Sequence, residues 1–181
     1  MDNAQSILEY WYSDKIKSHW FSSTLELDKE IKEKFELVWK NAIAGEYNEW
    51  KASAEGCLAL AIVFDQLPLN MFRAKVKSFS TEAMAIRVSK HAVEQGLDEK
   101  LSKGRIAFLY MPLMHSENIE DQNLSVSLFK KAGLEDNARF AKHHRDIVLK
   151  FGRFPHRNEI LDRESTEEEI EYLKSDSAFT G

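Results

Sequence analysis

The sequence predicts an all-α protein of about eight helices that pack as an antiparallel stack or bundle. Apolar residues recur along most of the chain at the three- and four-residue spacing of a buried helix face. Only 7 glycines and 3 prolines interrupt the 181 residues, so few positions break a helix. No stretch alternates apolar and polar residues as a strand does. Short loops between the predicted helices favour antiparallel neighbours.

The first two helices are predicted from residues 4–12 and from a longer amphipathic stretch that follows a loop. Residues 4–12 end in aromatic side chains that we expect to be packed. Gly45 stands where the second helix should end, because glycine readily adopts the left-handed conformation of a C-terminal cap. The apolar face of this second helix consists of Leu27, Ile31, Phe35, Val38 and Ala42.

The third predicted helix, residues 54–67, is apolar on every side in its middle and should therefore be central to the core. Ser53 is a suitable N-cap for it. Pro68 is predicted to stop the helix, because proline lacks a backbone N–H and clashes with the preceding turn. Asp65 would then lie near the helix C-terminus, where the helix dipole disfavours a carboxylate.

Later helices are predicted from capping residues. Ser80 or Thr81 should begin a helix that ends near Gln95, and Ser102 should begin one that Pro112 kinks or ends. The next two predicted helices run from Asn118 to Ala132 and from Glu135 to Phe151, with Gly152 capping the second. The last helix is predicted after Ser165, which has Glu168 at capping-box spacing. The acidic residues 164–171 are expected to form the solvated face of the last helix.

Composition predicts one globular domain over residues 1–181. The 43% hydrophobic and 30% charged residues are typical of a folded chain of this length. A net charge of −5 gives no general footprint for nucleic acid or an anionic membrane, so neither is an expected partner.

Cysteine content and hydropathy favour a cytoplasmic protein. Cys57 is the only cysteine, so an intrachain disulfide and a cysteine-based zinc site are excluded. The longest apolar run, Cys57 to Phe64, is less than half of a bilayer span. The first residues do not combine a basic region with an apolar core, as a secretion signal would. We predict no cofactor.

Asp65 and its neighbours form the first candidate polar site. A carboxylate that directly follows an apolar run needs a cation or several donors. One interpretation is a salt bridge that fixes the loop at the edge of the core; the other is a ligand-facing acid. The candidate cations are Arg73, Arg145, Arg153 and Arg157.

The second candidate site begins with His115-Ser116-Glu117. His115 and Glu117 suit an acid/base pair. The same two residues could instead bind a metal that other side chains complete. The residues considered for that role are His143, His144 and Asp146. Glu120 and Asp121 are expected to stabilise a helix N-terminus, where acids are favoured whatever the function.

The third candidate site is the basic segment from Arg139 to Arg157, which contains six Lys or Arg, three His and a single acid. Gly152 and Pro155 should display its arginines on a stiff turn. Arginine forks suit carboxylates and phosphates, so an anionic ligand is one interpretation. The other is an internal latch in which these arginines pair with Asp65 and Glu117. His144 shares a helix face with apolar residues and is expected to point toward the core.

Several landmarks together resemble a known family. They are Ile7-Leu8 to Trp11, Trp20-Phe21, Phe64-Asp65-Gln66 with Pro68 and Asn70, Met114 to Glu117 with Asp121-Gln122, and His144-Arg145-Asp146 running into the stretch from Phe151 to Asn158. In these residues the chain resembles the bacterial family called domain of unknown function 924. The resemblance implies an all-α fold similar to tetratricopeptide-repeat (TPR) stacks and implies no established activity. The family pattern usually has Arg where this chain has Leu69, so one cation of any shared pocket is absent.

We expect residues 65–73, 115–122 and 143–158 to converge on one polar cleft. The leading hypothesis is that this cleft binds a small anionic ligand, phosphorylated or carboxylated. The predicted ligand-binding residues are Asp65, Gln66, Asn70, Arg73, Gln122, His143, Arg145, Arg153, Arg157 and Asn158.

The leading hypothesis assigns roles within the cleft. Arg145, Arg153 and Arg157 would hold the anion, and His115 and His156 would donate or relay protons. One alternative is a TPR-like interaction scaffold that binds an acidic peptide. Another is a hydrolase that uses His115 and Glu117. The predicted catalytic residues are His115, Glu117 and His156, and the sequence favours neither an enzyme nor a particular oligomeric state.

Overall fold

A computed structural model describes residues 3–179, and this part of the chain contains ten α-helices and no strand. Eight of these helices have seven residues or more, which confirms the predicted all-α class and its helix number. The helices are α1 Ala4–Trp11, α2 Asp14–Lys17, α3 Leu25–Ala44, α4 Ala54–Ala61, α5 Leu67–Met71, α6 Glu82–Glu94, α7 Lys103–His115, α8 Ile119–Lys131, α9 Glu135–Phe151 and α10 Glu167–Leu173. A single turn of π-helix, called the π-turn below, spans Ile62–Gln66. Short 3₁₀ turns span Asn48–Ala52, Val76–Phe79, Asp98–Lys100 and Pro155–Arg157.

The described chain divides into two compact units. The first unit comprises the chain up to Arg73 together with Lys77–Pro112, and the second comprises Ala74–Val76 together with the chain from Leu113 onward. The single-domain and TPR-like descriptions stay predictions. Within residues 3–179, no helix is both long and apolar enough to cross a membrane.

Helix α4 lies in the core of the first unit, as its all-round apolar sequence predicts. It packs against α1 and α6, and α3 packs against α5. The run from Cys57 to Val63 is at most 2% exposed at every residue. Gly45 adopts the left-handed conformation at the end of α3, with φ 88°, as predicted from its position.

Pro68 does not stop the third helical segment, and this prediction was wrong. The chain passes from α4 through the π-turn into α5, in which Pro68 occupies the first turn. Because proline has no N–H, the carbonyl of Phe64 four residues earlier loses its usual helical donor. The hydroxyl of Thr81 donates to this carbonyl at 2.7 Å and accepts the indole N–H of Trp39 at 3.1 Å. A side chain from the start of α6 thus supplies the hydrogen bond that the proline cannot.

Two other predicted helix ends can be compared with the structure. Of the two predicted effects of Pro112, ending the helix is wrong, because α7 continues to His115, and the kink stays a prediction. The capping box of the last helix is formed by Thr166 and Glu169, one residue later than the predicted pair.

The second unit is built around the hairpin of α8 and α9, which pack along their lengths. Its hydrophobic cluster contains Ile147, Val148 and Phe154, with Phe151 and other partly buried side chains packed against it. Gly152 ends α9 with φ 71°, as predicted, and directs the chain into the Pro155–Arg157 turn. This turn carries His156 and Arg157, and α10 packs against it.

Replacing Thr81 with Val should destabilise the first unit. The substitution leaves the buried Phe64 carbonyl and the buried Trp39 N–H without this partner, which should lower the free energy of unfolding by about 2–3 kcal/mol. Urea denaturation followed by circular dichroism measures the change. Thr81→Ser keeps the hydroxyl and should lose less than about 1 kcal/mol. Equal losses in both variants would show that the hydroxyl is not the stabilising group.

Candidate functional site

The predicted site residues divide between the two units. Asp65, Gln66, Asn70 and Arg73 belong to the first unit, and the remaining candidates, which begin at His115, belong to the second. The convergence of all three segments on one cleft therefore stays a prediction. The structure does bring together the two segments of the second unit.

In the first unit, Asn70 and Arg73 bind Asp28, a carboxylate that the sequence analysis did not single out. Arg73 donates from Nε to Oδ2 at 2.6 Å and from Nη2 to Oδ1 at 3.1 Å, and the Asn70 amide donates to Oδ1 at 2.9 Å. Ser23 adds a further bond at 2.8 Å. Burial raises the pKa of Asp28, but these hydrogen bonds outweigh it and hold the pKa below its usual value. This cluster ties α3 to α5 and the residues after it.

Asp65 and Gln66 lie in the π-turn and are buried, with 5% and 8% of their surfaces exposed. Asp65 was expected to lie near a helix C-terminus. This expectation is wrong, because the helical segment continues to Met71. The Gln66 amide donates to the Asp65 carboxylate and contacts the sulfur of Met111 at 3.8 Å. The π-turn thus places two adjacent polar side chains within the core of the first unit.

The start of α8 positions the residues around His115. Asn118 caps the helix, accepting the N–H groups of Glu120 and Asp121 as predicted. The amide of Gln122 donates to the carbonyls of Met114 and Ser116 at 2.7 and 2.6 Å. Gln122 has no exposed surface, so it fixes the path of the chain on both sides of His115.

Glu117 is held by Arg163, which the sequence analysis did not consider. Arg163 makes a bidentate pair with the carboxylate at 2.8 and 2.9 Å, and the backbone N–H of Phe154 donates to it at 2.8 Å. Burial raises the pKa of Glu117, but the bonds from Arg163 and Phe154 outweigh this effect and lower the pKa. The carboxylate is therefore ionised at neutral pH and links the α7–α8 connection to the turn after α9.

Arg153 is held by Glu169, a residue of α10. Arg153 donates to both carboxylate oxygens at 2.7 and 2.8 Å. The expectation of a solvated face is wrong for Glu169, which is 2% exposed and also accepts from Asn158 and from the N–H of Thr166. The hydrogen bonds from Arg153 are the main reason that the pKa of Glu169 is lowered to about 2.

Asn158 connects the two ion pairs. Its amide nitrogen donates to Glu169 at 3.2 Å, and its amide oxygen accepts from Nε of Arg163 at 3.0 Å. It is 1% exposed. We call the set of Glu117, Arg153, Asn158, Arg163 and Glu169 the polar network.

Arg157 and Arg145 lie in different surroundings. Arg157 is 6% exposed, donates to the His115 carbonyl at 2.8 Å and lies over the Phe154 ring at 4.8 Å. Arg145 pairs with the neighbouring Asp146 at 3.1 Å, and Lys142 binds the same carboxylate. Arg145 and Lys142 therefore belong to the partly exposed surface of α9.

Four of the six histidines in the sequence come together in the second unit, and we call them the histidine cluster. The ring of His144 lies 6.3 Å from that of His143, and the rings of His144 and His156 each lie 5.6 Å from Phe154. His144 is 4% exposed, which agrees with the predicted core-facing orientation. The cluster consists of His115, His143, His144 and His156.

Burial keeps two of these histidines neutral. Desolvation is the main cause that lowers the pKa of His144 to about 3 and that of His156 to about 4. His144 Nδ1 lies 2.9 Å from the Phe140 carbonyl, so this nitrogen carries the proton and Nε2 is an acceptor. Around His156, the pKa is lowered further by Arg157, His115 and Arg163, while Glu117 raises it. The ring thus experiences a net positive potential.

Residues 3–179 contain no group of three or more His, Cys, Asp or Glu side chains arranged to hold a metal ion. His144 and His156 are neutral imidazoles, each of which offers one donor and one acceptor. The arginines that were predicted to contact an anion are largely occupied: Arg153 holds Glu169 and Arg145 holds Asp146.

In the second unit, three important residues were missed from the sequence. Arg163 is the only Lys or Arg between Asn158 and Lys174, a weak signal in an acidic stretch. Glu169 could have been found through its position three residues after Thr166, which is capping-box spacing. Phe179 contacts His144 and His156 from the C-terminal end of the described chain, and no local pattern indicates this contact.

Comparison with known proteins agrees with the fold. The sequence model of the family described as bacterial protein of unknown function, DUF924, matches residues 7–177. The chain is also similar to a solved structure of a protein of unknown function from Agrobacterium tumefaciens, with 35% sequence identity and a TM-score of 0.88. That similarity covers 94% of this chain and 96% of the other. No curated protein matches. These similarities confirm the family resemblance and carry no activity with them.

Replacing Glu169 with Gln should destabilise the second unit at neutral pH by about 2–3 kcal/mol, because the charge-assisted bonds from Arg153 are lost. The folded pKa of about 2 lies below the usual value of 4.5, so this stabilisation is present above pH 4.5 and disappears as the pH falls toward 2. Urea denaturation at several pH values should therefore show the wild type and the variant converging in acid. The matched control is Glu168→Gln, which removes an exposed pair with Lys150 and should change stability by less than about 1 kcal/mol. A stability difference between wild type and Glu169→Gln that does not change with pH would contradict the lowered pKa of Glu169.

The histidine cluster should make the free energy of unfolding depend on pH in a higher range than Glu169 does. The pKa values of His144 and His156 are lowered from 6.5 on folding, so the unfolded chain binds protons that the folded chain excludes. Their contribution is complete above pH 6.5, and each should lose about 1 kcal/mol by pH 5.5.

His144→Asn keeps a donor for the Phe140 carbonyl and removes one titrating group. Its free energy of unfolding should therefore fall less steeply between pH 7 and pH 5 than that of the wild type. Identical slopes for wild type and His144→Asn would contradict the lowered pKa.

Proposed function

This chain belongs to the bacterial DUF924 family, and we propose that its second unit binds a small anionic ligand, phosphorylated or carboxylated, at the histidine cluster. The observation that carries the proposal is the environment of His156. Burial and the charges of Arg157 and Arg163 lower the pKa of this partly exposed ring, Glu117 raises it, and the ring is neutral at physiological pH. Burial is the largest of these causes, and an anion beside the ring would be attracted by the second, the charge of Arg157.

The neutral imidazoles suit such a ligand chemically. A neutral ring donates one N–H to an anionic oxygen, and the approach of the negative charge favours uptake of a second proton. The ring can therefore strengthen binding by becoming charged only when the ligand is present. In the proposal, His156 and His115 contact the ligand, and Arg157 contributes charge while it holds the His115 carbonyl.

Arg153 takes a different role in this proposal from the one expected from the sequence. Its guanidinium is committed to Glu169 by two short bonds, so it would support the turn and not hold the anion. Arg163 acts in the same way through Glu117. Their hydrogen bonds fix the chain on both sides of His156, which limits the motion of the ring and preorganises the site.

The proposed geometry disfavours one role of Glu117 in the hydrolase alternative, that of general acid. A hydrolase that used Glu117 as a general acid would need its protonated form, but Arg163 and the Phe154 N–H stabilise the carboxylate. Proton transfer, if it occurs at this site, would fall to His115 and His156. An acidic peptide would meet the same positive potential as a small anion, so the interaction scaffold stays an alternative. Comparing the binding of a small anion with that of an acidic peptide separates the two.

Sulfate titration tests the proposal, because sulfate keeps its charge between pH 5 and pH 8. Calorimetry should show saturable binding to the wild type, and His156→Gln should weaken it about tenfold, the value of one hydrogen bond to a charged group. His115→Gln should weaken it in the same direction. His19→Gln serves as the control and should leave the dissociation constant unchanged.

Sulfate affinity should also rise as the pH falls from 7.5 to 5.5. The bound anion raises the pKa of His156 from about 4, so the complex takes up protons that the unbound protein does not. No saturable binding, or an unchanged dissociation constant in His156→Gln, would refute the proposed site. A peptide of repeated Glu that binds far more tightly than sulfate, with the same dependence on His156, would favour the scaffold.

A further inference from the structure

The chain covers its own histidine cluster with an aromatic side chain. The ring of Phe179 lies 4.3 Å from that of His144 and 4.9 Å from that of His156, measured between ring centroids. The planes cross at 58° and 88°, which is the tilted and edge-to-face geometry that aromatic pairs prefer. Phe154 lies 5.6 Å from both imidazoles and is 1% exposed. The two imidazoles therefore contact both a buried phenyl ring and a partly exposed one.

The segment that carries Phe179 is held by side-chain packing against the hydrophobic cluster and by hydrogen bonds that do not belong to a helix. Helix α10 ends at Leu173, and residues 174–179, which we call the C-terminal tail, contain no further helix. The Tyr172 hydroxyl accepts the backbone N–H of Phe179 at 2.9 Å and donates to the Ser177 carbonyl at 3.4 Å. Asp176 and Ser177 are exposed. Moving the Phe179 ring away from the histidines requires no helix to break.

The phenyl ring of Phe179 thus fills the space directly beside the ring of His156. Resting on the proposed function, we infer that the ligand of this site carries an aromatic ring next to its phosphate or carboxylate, and that this ring replaces the phenyl group of Phe179. The anionic group would lie against His156 and His115. The ligand ring would take over the contacts with His144 and His156, for which the tilted geometry favours an aromatic group over an aliphatic one.

Such a replacement has a thermodynamic signature. An aryl ligand must displace Phe179. Its apparent affinity for the wild type is therefore its intrinsic affinity multiplied by the fraction of molecules in which Phe179 does not cover the position. A ligand without a ring does not compete with Phe179. Removing the phenyl group should therefore favour aryl ligands selectively.

The experiment compares methyl phosphate, cyclohexyl phosphate and phenyl phosphate, which share one anionic group. Calorimetry with Phe179→Ala should show phenyl phosphate binding about three- to tenfold more tightly than to the wild type, as the value of an aromatic pair predicts. Methyl phosphate should change less than twofold, and cyclohexyl phosphate should gain less than phenyl phosphate. Phe179→Leu, which retains an apolar side chain, should give a smaller gain than Phe179→Ala.

Phe21→Ala is the matched control, because Phe21 is 83% exposed and belongs to the first unit. It should alter none of the three affinities. As an independent readout, the imidazole C–H resonances of His144 and His156 should shift in Phe179→Ala through loss of the ring current, and phenyl phosphate should shift them back.

The outcomes separate this inference from the proposed function. Equal changes for methyl and phenyl phosphate in Phe179→Ala, with binding that still depends on His156, would overturn the aromatic ligand class alone. Histidine resonances unchanged in Phe179→Ala would overturn the covering role of Phe179. Absence of binding by all three phosphates to both wild type and Phe179→Ala would overturn the inference together with the proposed function.

Discussion

In the second unit, Asn158 joins two ion pairs into one continuous network, and the turn that carries His156 depends on it. One end of the network is Glu117, just before α8, and the other is Glu169 in α10. Because all these groups are buried or partly buried, each needs its partner to offset the loss of hydration. The network thus fixes three separated parts of the chain around Phe154, whose N–H and carbonyl it also binds.

This constraint commits two arginines, Arg153 of the basic segment and Arg163 beyond it, to carboxylates of the second unit. Near this network, burial keeps the imidazoles of His144 and His156 neutral. A buried imidazole can remain neutral at modest cost, whereas a buried guanidinium cannot lose its proton. Positive charge therefore supports the fold of the second unit, while the imidazoles of His144 and His156 stay uncharged.

The ends of several helices were predictable because their signals are local. Asn118, Gly45 and Gly152 act within one turn of their own positions, through a side-chain cap or a left-handed backbone. Pro68 shows the limit of such reasoning. Its missing N–H was recognised from the sequence, but the hydroxyl that satisfies the Phe64 carbonyl comes from Thr81, which only packing places beside it.

The sequence by itself determined the all-α class, most helix boundaries and the concentration of histidines and arginines after Arg139. Periodicity and capping fix these features because they depend on residues a few positions apart. Only the tertiary structure decided which charges pair: Arg163 with Glu117, Arg153 with Glu169, and Arg73 with Asp28. Partners 16 to 46 residues apart are selected by the packing of helices, and several arginines were equally plausible for each carboxylate. The position of Phe179 on the histidine cluster has the same origin, since it follows from where α10 docks and not from any local pattern.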